Sequence, residues 1–217
     1  ADIRATDVEL REGRAHFDLV TPAGRAAVSL RLIGLHQIAN ALAAAAISTA
    51  LGVPLDSIAA ALSTAEPSSK WRMELHEVGD FILINDAYNA NPESMRAALS
   101  TLALFAQERG GASWAFLGKM HELGESESKS HKEIGRLAGE LGIDHLVSVG
   151  TNLYGESSER MTVHERQTQE EALELARYIE AGDSVLVKAS RAEHLDRLAV
   201  KIIELFEERV ESVGGEQ

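Results

Sequence analysis

The chain has 217 residues, 45% hydrophobic and 25% charged, with 21 Lys and Arg against 34 Asp and Glu for a net charge of −13, and no cysteine. That length allows one large domain or two small ones, and the composition is that of a folded globular protein. So acidic a chain lacks the basic footprint for gripping nucleic acid or an anionic membrane, and without cysteine it has no disulfide, thiolate zinc site, iron–sulfur cluster or cysteine nucleophile.

In chain order, the opening Ala1-Asp2-Ile3-Arg4 has no signal-peptide character. Strand signals follow: Ile3, Val8 and Leu10, then Phe17, Leu19 and Val20, then Val28, Leu30 and Leu32 in period-two alternation. Turns at Glu12-Gly13 and Pro22-Ala23-Gly24 make these a three-stranded meander. From 36 to 51 the pattern turns helical, with Ile38, Leu42, Ala45 and Thr49 along one stripe, and Gly52 and Pro54 stop it. A short helix over 56–64 leads to the polar stretch Glu66-Pro67-Ser68-Ser69-Lys70, where a domain boundary is placed. Residues 1–68 carry five basic and seven acidic side chains, and 69–217 carry 16 and 27.

Beyond the boundary the predicted elements alternate. Residues 72–78 and 81–85 read as a strand pair turning at Gly79-Asp80, followed by a helix over 92–107 with Pro92 in its first turn. Strands at 114–117, 146–149 and 184–187 are separated by helices at 130–141 and 169–179, and a long helix over 194–210 closes the chain. Short apolar strands between amphipathic helices predict an α/β fold, a mostly parallel sheet with flanking helices. Ligands of such sheets sit beyond the carboxyl ends of the strands. In this chain those ends carry Asn85-Asp86, Gly118-Lys119, Gly150-Thr151 and Lys188-Ala189-Ser190-Arg191. No apolar run nears the roughly 20 residues that cross a bilayer, so a cytoplasmic chain with no membrane insertion is expected.

The standard nucleotide signatures are missing. No two glycines lie two apart, so there is no dinucleotide turn, and Gly118-Lys119 lacks both the upstream glycine and the following Ser or Thr of a phosphate loop. His121-Glu122-Leu123-Gly124-Glu125 has half of a zinc-protease pattern without its second histidine. Four constellations remain. His36, Gln37 and Asn40 share the start of the first helix, where they either cap it or aim a carboxamide at a ligand edge. Asp86-Ala87-Tyr88-Asn89-Ala90-Asn91-Pro92 delivers a carboxylate, an aromatic ring and two carboxamides at a strand end. Asn-Ala-Asn-Pro would suffice for a turn, but a carboxylate in that place suits ribose hydroxyls, with Arg72 either alongside as a donor fork or simply a surface residue. Gly118-Lys119-Met120-His121-Glu122-Leu123-Gly124-Glu125, with His131 beyond, is a glycine-bounded loop. Lys188, Ser190 and Arg191 cluster cations and a hydroxyl at a strand end, to bind a small carboxylate or to pair with neighbouring acids.

Taken together and in this order, the runs from Asp86 to Met95 and from Gly118 to Glu125 resemble the Mur ligase family. The resemblance implies that 1–68 is the carboxyl-terminal part of a central ATP-binding domain and that 69–217 is a Rossmann-like carboxyl-terminal ligase domain. It also implies the later part of a longer polypeptide, with the phosphate loop and the Mg2+ ligands upstream. The implied activity is ATP-dependent addition of D-alanyl-D-alanine to UDP-N-acetylmuramoyl-tripeptide through an acyl phosphate, in peptidoglycan precursor synthesis, by a monomer. Residues 1–217 alone would not turn over. Asn40, with His36 and Gln37, would face adenine, and Arg72 and Asp86 would hold ribose and phosphates. Tyr88, Asn89 and Asn91 would line the junction with the acceptor, while Lys119, His131, Lys188, Ser190 and Arg191 would contact the acceptor dipeptide. No catalytic residue or metal ligand is singled out within the chain. An amino-acid-adding or folylpolyglutamate-type ligase, or a nucleotide-binding module without chemistry, are the alternatives.

Overall fold

The computed structural model describes residues 2–67, 69–155 and 157–214; Ala1, Ser68 and Gln217, which mark the expected domain limits, lie outside the described residues. The chain divides into two compact units, 1–68 and 69–217.

In the first unit, β1 (Arg4–Arg11), β2 (Arg14–Thr21) and β3 (Gly24–Ile33) form an antiparallel sheet in sequential order. The two-residue loop Glu12-Gly13 has φ of 49° and 69°, the backbone of a primed turn whose twist matches that of the strands it joins. Alternation places Ala15, Phe17, Leu19, Val28 and Leu30 on one face. There they meet Ala41 and Ala45 of α1 (Gln37–Ala50) and Ile58 and Ala59 of α2 (Leu55–Thr64). Alanine at the helix contacts lets α1 approach the strands closely. Leu35, Ile47, Leu51 and Val53 remain exposed.

The second unit begins with β4 (Glu74–Val78) and β5 (Phe81–Asp86), then α3 (Pro92–Arg109), β6 (Ser113–Leu117), α4 (Glu127–Glu140), β7 (His145–Val149) and β8 (Thr162–Arg166). It ends with α5 (Gln169–Leu175), β9 (Ser184–Lys188) and α6 (Asp196–Gly214). Among the described residues the sheet has six strands in the order β4-β5-β9-β6-β7-β8, with β4 antiparallel and the rest parallel. This is the α/β class expected from the alternation. Strands β5, β6 and β9 are buried along their whole length, which explains their continuous apolar runs. Phe81, Leu83, Trp114, Phe116, Val185 and Val187 face α5 and α6, and Phe81 stacks on Phe206 at 4.3 Å between ring centroids. The alternate residues Ile82, Ile84, Ala115, Leu117 and Leu186 are also buried and point to the opposite face. That face takes α3, which packs on β6, β9 and α4.

Two starts and one strand depart from expectation. β4 starts at Glu74, not at 72, because Trp71 and Met73 have φ of 60° and 47°, which breaks the extended backbone. The closing helix starts at Asp196 after a single 3-10 turn at Arg191–Glu193, with His194 at φ 52°. β8 has no counterpart among the predicted strands. It is an edge strand whose Val163 and His164 are only half-buried between exposed Thr162 and Glu165, so no core-strand pattern marks it. Among the described residues no helix is long and apolar enough to cross a membrane.

A glycine couples α4 to the connection after β7. A Cβ on Gly135 would lie 1.7 Å from the Tyr154 carbonyl oxygen, so only glycine permits that approach. Tyr154 in turn donates its hydroxyl to the Gly118 carbonyl at 2.6 Å, bracing the loop after β6. Opposite that end, His145 Nδ1 and His164 Nε2 lie 3.2 Å apart and share one proton, and Trp114 stacks on the His145 ring at 3.9 Å. Burial holds both imidazoles below the ordinary histidine value, although Asp144 and Asp183 pull His145 back up. Depressed imidazoles stabilise the fold fully above about pH 6.5. That stability is lost as pH falls from there toward the folded-state values, since the unfolded chain takes up protons first. Urea melts should therefore show stability dropping between pH 7 and 5, with the drop smaller in His164→Gln and the remainder coming from His145 and buried His131. An unchanged drop would contradict this.

Candidate functional site

Connections leaving the sheet define where a ligand can enter. β5 and β6 lead into α3 and α4, which pack against each other, whereas β9, lying between those two strands, leads into α6, which packs with α5. The chain thus departs to opposite faces at neighbouring strands, and such a switch point opens a crevice at the carboxyl ends. A pocket of about 540 Å³ lies there, lined among others by Tyr88, Asn89, Asn91, His121, Ser190 and Arg191.

Behind the lining residue Asn89 is a buried ion pair. Asp86 and Lys188 end paired strands in register, and Lys188 is 1% exposed. Its Nζ donates to Asp86 Oδ2 at 2.5 Å and to the Asn89 carbonyl at 2.8 Å, while Asp86 Oδ1 accepts the Met73 N–H at 3.0 Å. Burial pulls the Lys188 ammonium below the ordinary lysine value against the attraction of Asp86, and nearby Arg72 adds to the depression. Four segments, at residues 73, 86, 89 and 188, are tied together by this one pair. The acceptor contact expected of Lys188 is therefore corrected: its three protons face protein oxygens, and it positions the pocket instead.

Two guanidinium groups lie on aromatic rings. Arg72 sits 4.1 Å over the Tyr88 ring and Arg191 sits 4.2 Å over the Trp71 ring. Arg72 is exposed and makes no ion pair among the described residues, whereas Arg191 is held to Asp196 at 2.5 Å. Stacking fixes the plane of a guanidinium while leaving its edge N–H groups for a ligand. Asn91 caps α3: its Oδ1 accepts the Ser94 N–H at 2.8 Å, completing a capping box, so the capping explanation holds for this side chain. Asn89 Oδ1 accepts the Ala90 N–H.

The loop after β6 is clamped on every side. Gly118 N–H donates to the Lys188 carbonyl, Ser190 N–H to the Lys119 carbonyl, and His121 N–H to Ser190 Oγ at 2.9 Å. Ser190 is 5% exposed and also reaches the Ala90 carbonyl, so it joins three loops while lining the pocket. His131 is 0% exposed; its Nε2 accepts the Met120 N–H at 2.9 Å and its Nδ1 donates to the Glu127 carbonyl at 2.8 Å. Both nitrogens are engaged and burial holds the ring neutral, so His131 braces the loop and has no face for a substrate. Lys119 is drawn to Glu127 at 3.1 Å.

Sequence reasoning missed His121 and Glu193 as a pair. His121 Nε2 meets Glu193 Oε1 at 2.5 Å across 72 residues of sequence, a separation that no local motif encodes. The half zinc-protease pattern is not a helix: residues 121–123 form loop, followed by a 3-10 turn at Gly124–Ser126. Among the described residues no cluster suits a metal ion. In the first unit, Asn40 is exposed and donates to Gln37 Oε1 at 2.9 Å, next to His36, which precedes α1 without capping it by its side chain.

Residues 71–191 match a family model described as Mur ligase, glutamate ligase domain. The chain is 38% identical to a UDP-N-acetylmuramoyl-tripeptide–D-alanyl-D-alanine ligase of Mycobacterium tuberculosis, covering 93% of this chain and 44% of that protein. To the ligase of the same name in Escherichia coli it is 40% identical over 69% of this chain and 32% of that one. A crystal structure of MurF from Acinetobacter baumannii superposes with a TM-score of 0.84 at 36% identity, covering 94% of this chain and 45% of that chain. MurF from Thermotoga maritima, solved in complex with ADP, shares the fold with a TM-score of 0.80 at 24% identity. The chain spans less than half the length of these relatives.

The bracing role of His131 has a measurable consequence. His131→Phe fills the same space but leaves the buried Met120 N–H without its acceptor, which costs about 1–3 kcal/mol. Urea unfolding should report that loss together with faster amide exchange at residues 118–123, and a variant as stable as the parent would refute the role.

Proposed function

Because the chain belongs to the Mur ligase family, we propose that it serves an ATP-dependent ligase that joins D-alanyl-D-alanine to UDP-N-acetylmuramoyl-tripeptide. A carboxylate is a poor electrophile, so ATP supplies the activation: it phosphorylates the terminal carboxylate of the tripeptide. The dipeptide amine then attacks and phosphate leaves. Catalysis of this kind is mainly positioning and charge stabilisation.

One observation carries the reading: a pocket at the sheet's switch point, whose lining residue Asn89 is held by a buried ion pair and whose Tyr88 carries a guanidinium that no carboxylate claims among the described residues. Arg72 suits nucleotide oxygens, since its plane is set by Tyr88 and no carboxylate among the described residues claims it. Asp86 keeps acceptor capacity beyond its two protein partners, since a carboxylate takes about four hydrogen bonds. Asn40, with His36 and Gln37, is assigned to adenine in the first unit, where the exposed amide can both donate and accept. Tyr88, Asn89, Asn91 and Arg191 are assigned to the acceptor, whose free carboxylate suits the guanidinium. Mg2+ accompanies ATP in such chemistry, and none of these residues is assigned to it.

The test is phosphate release by the full-length gene product with ATP and UDP-N-acetylmuramoyl-tripeptide, offering D-alanyl-D-alanine, lysine or glutamate as acceptor. Turnover is expected with the D-dipeptide alone, and turnover with lysine or glutamate instead would replace this reading by an amino-acid-adding one. Arg72→Ala should raise the KM for ATP about 10- to 100-fold, the worth of a charge-assisted hydrogen bond. An unchanged KM would remove Arg72 from the nucleotide site.

A further inference from the structure

We propose that His121, held by Glu193, receives the ammonium group of the acceptor dipeptide in this pocket and removes its proton before the amine attacks; the inference rests on the ligase reading above. An α-amino group is largely protonated near neutral pH, with an ordinary pKa of about 8. In that state it has no lone pair with which to attack the acyl phosphate, so a ligase that uses a free dipeptide needs a proton acceptor near the amine.

His121 has the arrangement for that task. A carboxylate can only accept a hydrogen bond, so in the neutral ring the 2.5 Å contact with Glu193 Oε1 places the proton on Nε2 and leaves the lone pair on Nδ1. Among the described residues nothing hydrogen-bonds to Nδ1. This is the base-and-orienting-carboxylate arrangement that fixes an imidazole's tautomer in hydrolases, in this case without a nucleophilic side chain. The backbone on either side is fixed as well: His121 N–H is bound to Ser190 Oγ and Met120 N–H to His131. Glu193 is fixed in turn, its N–H donating to the Ser190 carbonyl and its own carbonyl accepting from Gln169 Nε2 at 3.0 Å. His121 is half-buried in the pocket wall, and the pair ties the loop after β6 to the loop after β9 across the switch point.

Charge around the pocket suits a small zwitterion. Glu122 and Glu193 lie on the His121 side, where they attract an ammonium group. Arg191, which also lines the pocket and is half-exposed, offers the complement for a carboxylate. The other groups near His121 are self-contained: Lys119 is paired with Glu127, and His131 is buried and neutral. In the step itself, the N–H bond of the ammonium breaks, its electrons stay on nitrogen, and the proton moves to Nδ1. The free amine forms the C–N bond, the C–O bond to phosphate breaks with its electrons leaving on oxygen, and the departing phosphate takes the second amine proton. His121 then returns its proton to solvent.

Two measurements test this. In NMR spectra of this chain, D-alanyl-D-alanine should shift the His121 ring resonances, and N-acetyl-D-alanyl-D-alanine, which lacks the ammonium, should not. In the full-length gene product, His121→Gln keeps an N–H for Glu193 but has no base. Its kcat at pH 7 should fall about 100-fold, within the usual range for general-base catalysis. The KM for ATP should stay unchanged, and the deficit should narrow above about pH 9, where the amine deprotonates unaided. Glu193→Gln should give a smaller fall of the same shape. Dipeptide-induced shifts at Tyr88 and Arg191 without a shift at His121 would overturn the proposal and leave the ligase reading standing. So would a His121→Gln deficit that is absent or constant with pH. Failure of the full-length gene product to ligate the dipeptide at all would overturn both.

Discussion

A lysine ammonium with 1% of its side chain exposed needs compensation on every side, and Lys188 finds it in Asp86 Oδ2 and the Asn89 carbonyl. Desolvating one such ion costs several kcal/mol, so the pair survives only with close geometry and further hydrogen bonds. Those bonds come from the segments that make the pocket. Met73 N–H completes Asp86, fixing the left-handed turn that carries Arg72, and the Asn89 carbonyl completes Lys188, fixing the loop that carries Tyr88. The stack of Arg72 on Tyr88 follows, since both residues are held by the same buried pair.

A second layer of support reaches the loop after β6. His131 from α4, Ser190 from the end of β9 and the hydroxyl of Tyr154 each take one backbone group of residues 118–121. The close approach at Gly135 is what brings Tyr154 into range. His121 is therefore presented from a rigid loop although it lies outside any helix or strand, which suits a group that must meet a small substrate in one orientation.

Much of this architecture was legible in the sequence because burial imposes a period. Residues 81–85, 114–117 and 184–187 read as strands from their continuous apolar runs, which the covering of both faces explains, and the Phe17, Leu19, Val28 and Leu30 alternation marked a half-buried meander. β8 escaped because an edge strand carries charge and histidine where a core strand carries aliphatics. Within the site, composition picked out Asp86, Tyr88, Asn89, Asn91 and Arg191, which do converge at the pocket or beneath it. The polarity of Lys188 and His131 serves buried hydrogen bonds, and Ser190 bridges loops while lining the pocket. Sequence spacing cannot separate those roles, because the partners are supplied by strands and loops distant in the chain. The same distance hid the His121–Glu193 pair.

The central claim is that the Lys188–Asp86 pair acts as one unit that organises the pocket, and a double-mutant cycle in urea unfolding tests it most directly. Lys188→Met and Asp86→Leu should each cost about 3–5 kcal/mol, because each leaves the opposite charge buried alone. The double variant, with two apolar side chains facing each other, should cost less than the sum of the singles by at least about 2 kcal/mol. Costs that simply add, to within about 0.5 kcal/mol, would show two independent residues and contradict the account.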